Sequence, residues 1–271
     1  MIDLSSALDM ATATHPGMVR SHNEDCIAVD PQIGLAVLAD GMGGYNAGEV
    51  ASGIAVAMIS AEMKKSIARL KPEEYDLPAM ERLLAEHSVK ANGAIYHASQ
   101  TQAQYAGMGT TLVVALWHDN HMSVAHIGDS RLYRLRDDVL EQVTRDHSLL
   151  QEQIDSGLIT KEQARYSQNK NLVTRAVGID PQVEPEVHTY PAQVGDVFLI
   201  CSDGLSDMVT DEDIQLTLAS LKVNLPLAAE QLVQQANDNG GRDNVSVILI
   251  RVLKEYQAAH GLIGKMKSWF R

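Results

Sequence analysis

Cysteine is scarce. The 271-residue chain holds two, too few for a disulfide framework, and Cys26 and Cys201 lie in or beside apolar runs, where a reduced thiol serves as a small core residue. Cations are also outnumbered, with 22 Lys and Arg against 35 Asp and Glu for a formal charge of −13. Counterion release needs clustered basic side chains, so no nucleic-acid partner is expected. No apolar run approaches the ~20 residues that span a bilayer. Met1-Ile2-Asp3-Leu4-Ser5 lacks the basic and apolar regions of an export signal, and with reduced thiols this predicts a cytoplasmic protein. Internal repeats and low-complexity stretches are missing, which excludes solenoids. Zinc-spaced Cys/His pairs and H-E-x-x-H are missing too, and no G-K-[ST] follows the glycine-rich stretch at 41–48. A phosphate cradle of backbone N–H groups at that stretch is correspondingly disfavoured.

What the chain does have is 45% hydrophobic residues, enough for one sizeable core and a single domain. Short apolar or alternating runs predict strands at 9–15, 26–30, 33–39, 112–117, 122–127, 132–135, 139–143, 183–190, 197–202 and 245–252. Four of these, from 112 to 143, read as a meander with tight polar turns. Val50, Ile54, Met58 and Ile59 have helical spacing within 47–69, and a second helix follows Pro78 with Met80, Leu83, Leu84 and Ile95 on one face. Asp211 opens a helix toward Leu221, and Pro226 another toward Ala236. Residues 146–171 are polar and Gln-rich, as in a mobile insert with short helices. Runs of strands alternating with runs of helices predict an α+β fold, with helices layered on antiparallel sheets.

Acids sit where strands end. The run Leu35-Ala36-Val37-Leu38-Ala39 stops at Asp40-Gly41-Met42-Gly43-Gly44, and Val197-Phe198-Leu199-Ile200-Cys201 stops at Ser202-Asp203-Gly204. Arg242-Asp243-Asn244 precedes another such run. Folding can therefore bring Asp40, Asp203 and Asp243 to one rim, where like charges need cations between them. An all-oxygen ligand set selects hard ions, Mg²⁺ or Mn²⁺. Two such ions sharing a carboxylate can pin and acidify a water, which is hydrolase chemistry.

Taken in order, Arg20 with Glu24-Asp25, Asp40-Gly41-Met42-Gly43-Gly44, Gly107-Met108-Gly109-Thr110-Thr111, Gly128-Asp129-Ser130-Arg131, Asp146-His147-Ser148, Ser202-Asp203-Gly204-Leu205 with Asp207, and Gly241-Arg242-Asp243-Asn244 resemble the motifs of the PP2C family. These are metal-dependent protein serine/threonine phosphatases, and the bacterial branch fits best over residues 15–252. The resemblance implies an α-β-β-α sandwich of two antiparallel sheets flanked by helices, with a binuclear Mn²⁺ or Mg²⁺ centre in a catalytic domain at 1–253. It implies that Asp40 bridges both metals, that Gly41 gives a backbone carbonyl to one, and that Asp203 and Asp243 ligate the other. Glu24 and Asp25 would bind directly or through water, and Arg20 would clamp phosphate with its planar fork. Asp129, with Asp203 and Asp207, resembles a third-metal site, and residues 146–171 match the family's flap. Implied partners are phosphorylated proteins and a cognate Ser/Thr kinase.

One position departs from the family's eukaryotic pattern: Met42 stands where those members carry a His that can protonate the leaving group. Met cannot donate a proton, so leaving-group protonation falls to metal-bound water or to another residue, His147 in the flap being one candidate. A serine esterase built on Ser130 would need a partnered His and acid that the C-terminal region does not offer. A phosphoprotein-binding pseudophosphatase is the non-enzyme alternative, against which the metal acids are all present. Residues 254–271 carry Lys254, Lys265, Lys267 and Arg271 among Leu262, Ile263, Met266, Trp269 and Phe270. That mixture predicts docking to a partner or an anionic membrane surface, or packing on the acidic body.

Overall fold

The computed structural model describes residues 3–44, 47–71, 74–164 and 172–257. Two sheets face each other. One runs β1 (Leu8–His15), β11 (Val245–Val252), β10 (Val197–Cys201), β7 (Arg131–Arg136), β8 (Val139–Gln142). The other runs β2 (Asp25–Asp30), β3 (Leu35–Met42), β5 (Leu112–His118), β6 (His121–Ile127), β9 (Glu186–Pro191), with the two-residue β4 (Gly109–Thr110) on the end of β3. All of these pairings are antiparallel. Helices α1 (Ala47–Arg69) and α2 (Leu77–Thr101) cover the second sheet, and α6 (Asp211–Leu221) and α7 (Leu225–Asp238) cover the first. This is the expected α+β sandwich.

Local chemistry explains the tight connections. Asp119 and Asn120 (φ 45° and 56°) join β5 to β6, and Asp137 and Asp138 (φ 50° and 60°) join β7 to β8. Two successive positive φ angles match the right-handed twist of a hairpin, and short Asx side chains tolerate them best after glycine. Asp76 caps α2 by accepting from the Ala79 N–H at 2.9 Å, and Pro78 occupies its first turn, where the missing N–H is no loss. Alternation along the central strands sends one set of side chains between the sheets and the other under the helices. Trp117 and Phe198 meet between the sheets edge to face, centroids 5.4 Å apart.

Four differences from the sequence expectation have physical causes. The meander is really two hairpins in different sheets, because Gly128-Asp129-Ser130 carries the chain from β6 in one sheet to β7 in the other. Strand β3 extends past Ala39 to Met42, since β4 pairs Thr110 with Gly41 and Gly109 with Met42. On α1 the most buried face centres on Ala51, Ser52 and Ala55, while Val50, Ile54 and Met58 lie toward its edges; small residues let the helix axis approach β3. A one-turn helix, α5 (Asp203–Ser206), follows β10 directly.

In the 146–171 segment the expected short helices are present as α3 (Leu149–Asp155) and α4 (Lys161–Ala164); 165–171 lie outside the described residues. So do 258–271, most of the basic tail. Before them, Tyr256 is buried against the β5–β6 turn, its backbone N–H on Asn120 Oδ1 at 2.6 Å and its hydroxyl on the His121 carbonyl at 3.1 Å. Among the described residues no helix is long and apolar enough to cross a membrane.

Candidate metal centre

One rim of the sandwich collects the acids. Asp25 opens β2 directly opposite Asp40 in β3, Asp203 follows β10, and Asp243 precedes β11, the neighbour of β10. Asp129 reaches the rim from the turn that switches sheets. The backbone of Asp40 is held by the Thr110-Thr111 pair: its carbonyl accepts from Thr111 N–H at 2.8 Å and Thr110 Oγ1 at 2.8 Å. Its N–H donates to Thr111 Oγ1 at 3.1 Å. Two glycines permit the crowding here. A Cβ on Gly41 would stand 2.2 Å from the Gly48 carbonyl oxygen, and one on Gly204 would stand 1.9 Å from that of Asn244.

The electrostatics demand a counter-charge. Burial, then repulsion from Asp25, Asp203, Asp129 and Asp243, pushes the Asp40 carboxyl well above the ordinary range. Burial followed by Asp129, Asp207, Asp243 and Asp25 does the same to Asp203. Asp25 is pushed up to about 6, chiefly by burial and against hydrogen bonds that favour its charge. Asp129 also rises to about 6, from burial and then Asp146. One Asp25 oxygen accepts from Ser202 Oγ at 2.8 Å; the other, Oδ1, is buried with no hydrogen-bond partner. An orphaned carboxylate oxygen among mutually repelling carboxylates is the arrangement hard divalent cations satisfy. The donors present therefore fit Mn²⁺ or Mg²⁺.

The other expected residues are placed as follows. Arg20 is half exposed, and its Nη2 contacts Asp243 Oδ2 at 2.8 Å. Glu24 lies against the start of α1, hydrogen-bonded to the Gly48 backbone, with its carboxyl raised chiefly by burial and in part by Asp243. Asp207 caps α5, its N–H on the Asp203 carbonyl at 2.8 Å, and it borders a cavity of about 330 Å³ together with Asp129 and Asp203. The α3 residues Leu150 and Ile154 line the same cavity, which sets the flap beside this second group of acids.

A sequence profile of protein phosphatase 2C matches residues 19–244. The chain belongs to the protein phosphatase 2C family. It is 39% identical over 241 residues to the serine/threonine phosphatase stp of Listeria innocua, covering 88% of this chain and 93% of that protein. The crystal structure of the catalytic domain of serine threonine protein phosphatase PstP in complex with two manganese ions superposes with a TM-score of 0.79 at 36% identity, over 92% of this chain and 99% of that one. Serine/threonine phosphatase Stp1 from Staphylococcus aureus gives 0.83 at 33% identity, over 94% and 98%.

Within this protein phosphatase 2C domain, residues outside the expected ligand set hold the acids and the loops around them in place. Ser202 bridges Asp25 and the Ser246 N–H, the latter at 3.0 Å. Asn244 accepts from the Glu24 N–H at 2.8 Å and donates to the Pro16 and His22 carbonyls at 2.9 and 2.8 Å, bracing the loop that bears Arg20. Asp146, expected to begin a mobile flap, is pinned by three contacts of 2.7 to 3.1 Å from Arg131. His147 is almost fully buried, with both ring nitrogens hydrogen-bonded. It therefore cannot reach a leaving group in this arrangement. In the sequence these residues stand inside the motifs, but nothing local shows which acid or loop each one holds.

Proposed function

We propose that this phosphatase hydrolyses phosphoserine and phosphothreonine monoesters on proteins with two Mn²⁺ or Mg²⁺ ions in the carboxylate rim and a third, weaker site beside it. The convergence of Asp25, Asp40, Asp129, Asp203 and Asp243 on one rim, with the carboxyls of Asp25, Asp40, Asp129 and Asp203 raised by burial and one Asp25 oxygen orphaned, carries this reading. Asp40 would bridge the two ions, Gly41 would offer its carbonyl, Asp203 and Asp243 would complete the pair, and Glu24 and Asp25 would bind directly or through water. Asp129, Asp203 and Asp207 would hold the third. Bound there, the ions supply the positive field that admits a phosphate dianion and lowers the pKa of water for attack.

The chain's own residues orient that chemistry. Thr110 and Thr111 fix the peptide of Asp40, Ser202 aims Asp25, and Asn244 holds the loop from which Arg20 presents its fork to phosphoryl oxygens. The Arg20–Asp243 contact keeps the guanidinium at the rim. Met42, paired with Gly109 at the end of β3, offers no proton to the departing alkoxide. The substrates are phosphoproteins, with a cognate Ser/Thr kinase as the opposing activity. Free Cys26 and Cys201 support a reducing, cytoplasmic setting, and the basic, apolar composition of residues 254–271 supports their docking to a partner or an anionic membrane surface.

Turnover of a phosphothreonine peptide by the purified chain, with and without Mn²⁺ and EDTA, tests this. Release of phosphate with Mn²⁺ and its loss on chelation is the expected result. Turnover that survives exhaustive chelation refutes the metal reading, and peptide binding without turnover in saturating Mn²⁺ favours the pseudophosphatase.

A further inference from the structure

Beside the Asp129 turn, His126 on β6, His147 at the root of the flap and Glu186 on β9 bring donor atoms within 4.8 Å of one another. The cluster has the composition of a cation site, but its hydrogen bonds oppose one. The Gly128 N–H donates to His147 Nδ1 at 3.2 Å, so that nitrogen bears a lone pair and the ring proton sits on Nε2. Nε2 in turn faces Glu186 Oε2 at 3.2 Å. A cation would have to displace that proton and move it to Nδ1, against the Gly128 donor. The His126 and His147 rings also stack nearly parallel, centroids 4.8 Å apart and planes 10° apart. Lone pairs lying in parallel ring planes do not converge on a single ion.

The same contacts form a brace. His147 grips the Gly128 peptide from both sides, since its own N–H donates to the Gly128 carbonyl at 2.9 Å while its ring accepts from the Gly128 N–H. Gly128 has φ +104°, and a Cβ there would strike Thr111 at 2.8 Å, so the turn is a conformation that needs holding. Glu186 accepts from His147 on one oxygen and from His188 at 2.7 Å on the other, which fixes the His147 ring and its tautomer. The His147 carbonyl accepts from Thr174 N–H at 2.8 Å, where the chain returns from the flap. His126 donates from Nε2 to the Arg145 carbonyl at 2.9 Å, securing the residue before Asp146.

We infer that His147, oriented by Glu186, is a positioning residue that sets the Gly128-Asp129 turn and thereby ties the Asp129 carboxylate to both ends of the flap. The inference rests on the proposed metal role of Asp129. Displacement of the flap would thus be felt at Asp129 before it is felt at Asp40, whose peptide is held by Thr110 and Thr111.

Three variants test it. His147→Phe keeps the stacked ring but removes the acceptor for Gly128, His147→Asn restores an acceptor near the Nδ1 position, and Asp129→Asn removes the carboxylate itself. Mn²⁺ binding is followed by calorimetry, aryl phosphate turnover against Mn²⁺ concentration, and thermal melting in parallel. His147→Phe should weaken the weakest Mn²⁺ binding step about tenfold, the scale of one hydrogen bond, and shift the Mn²⁺ activation curve to match. The tighter binding steps should not change. His147→Asn should recover most of the shift, and adding His147→Phe to Asp129→Asn should move the curve no further.

If Asp129→Asn abolishes the weak step while His147→Phe leaves it intact, or if His147→Phe lowers turnover equally in both backgrounds, the positioning role is refuted. An Asp129→Asn protein with an unchanged metal response removes the premise, and that variant alone reports it. Should His147→Phe not fold, Glu186→Leu against Glu186→Gln makes the same comparison. The leucine variant should show a shift of about threefold and the glutamine variant little, and equal behaviour of the two would overturn the inference.

Discussion

Replacing Asp25 with Asn should make the metal-free protein more stable while damaging its activity. The folded chain holds the Asp25 carboxyl at about 6 against an ordinary value of 3.8. Between those two values the folded state binds more protons than the unfolded one, so stability falls as pH rises through this window and stays at its lower level above it. A shift of roughly 2 units corresponds to about 3 kcal/mol. Because Asp40 shares the same field, this is an upper figure for Asp25 alone. Asn keeps an oxygen for the Ser202 hydroxyl and removes the titration. In EDTA at pH 8, Asp25→Asn should therefore melt above the parent chain by up to about 6–12 °C, using about 2–4 °C per kcal/mol for a domain of this size. At pH 4 the two curves should meet. The parent chain serves as reference at every pH because His118, held neutral down to about 4 mainly by burial, destabilises both proteins equally on acidification. Saturating Mn²⁺ should cancel or reverse the advantage. A variant less stable than the parent at pH 8 in EDTA, or a difference that does not change with pH, would refute the account of Asp25 as a strained metal acid.

Asp40→Asn should lower kcat on a phosphopeptide by at least about 10²–10³-fold, the scale on which a single preorganised electrostatic group acts, and more than Asn at any other acid; steady-state kinetics across the set checks the ranking. Met42→His should narrow the gap between aryl and alkyl phosphate turnover, because an aryl oxide leaves without a proton and an alkoxide does not. An unchanged ratio of the two kcat values would mean that the proton comes from elsewhere and is not limiting.

The acids at strand ends are legible in the sequence because abrupt stops of apolar runs are local events. Asp40 and Asp203 announce themselves that way, Asp243 stands where another apolar run begins, and the ordered motifs around them give the family. Support for the acids is harder to read. Ser202 serves Asp25 from 177 positions away, and no local pattern distinguishes it from a helix-capping serine. Glu186 and His126 look like ordinary strand residues, and only the β6–β9 register sets them side by side. The sheet switch at Gly128 is invisible for a related reason, since the same turn chemistry joins strands within a sheet or between sheets. On α1 the pattern favours large apolar residues, whereas close packing on a strand favours Ala51 and Ala55.

The placement of β11 bears on how the protein is made. It lies between β1 and β10 and pairs with both along their lengths, although it is the final strand described and β1 is the first. During synthesis β1 has no neighbour in its sheet until β11 has left the ribosome, and the sheet stays split until then. Asp243 emerges immediately before that strand. A chain made only as far as β10 thus carries an open sheet edge and an incomplete acid rim together, so closure of the sheet and completion of the rim both wait on the same eight-residue strand.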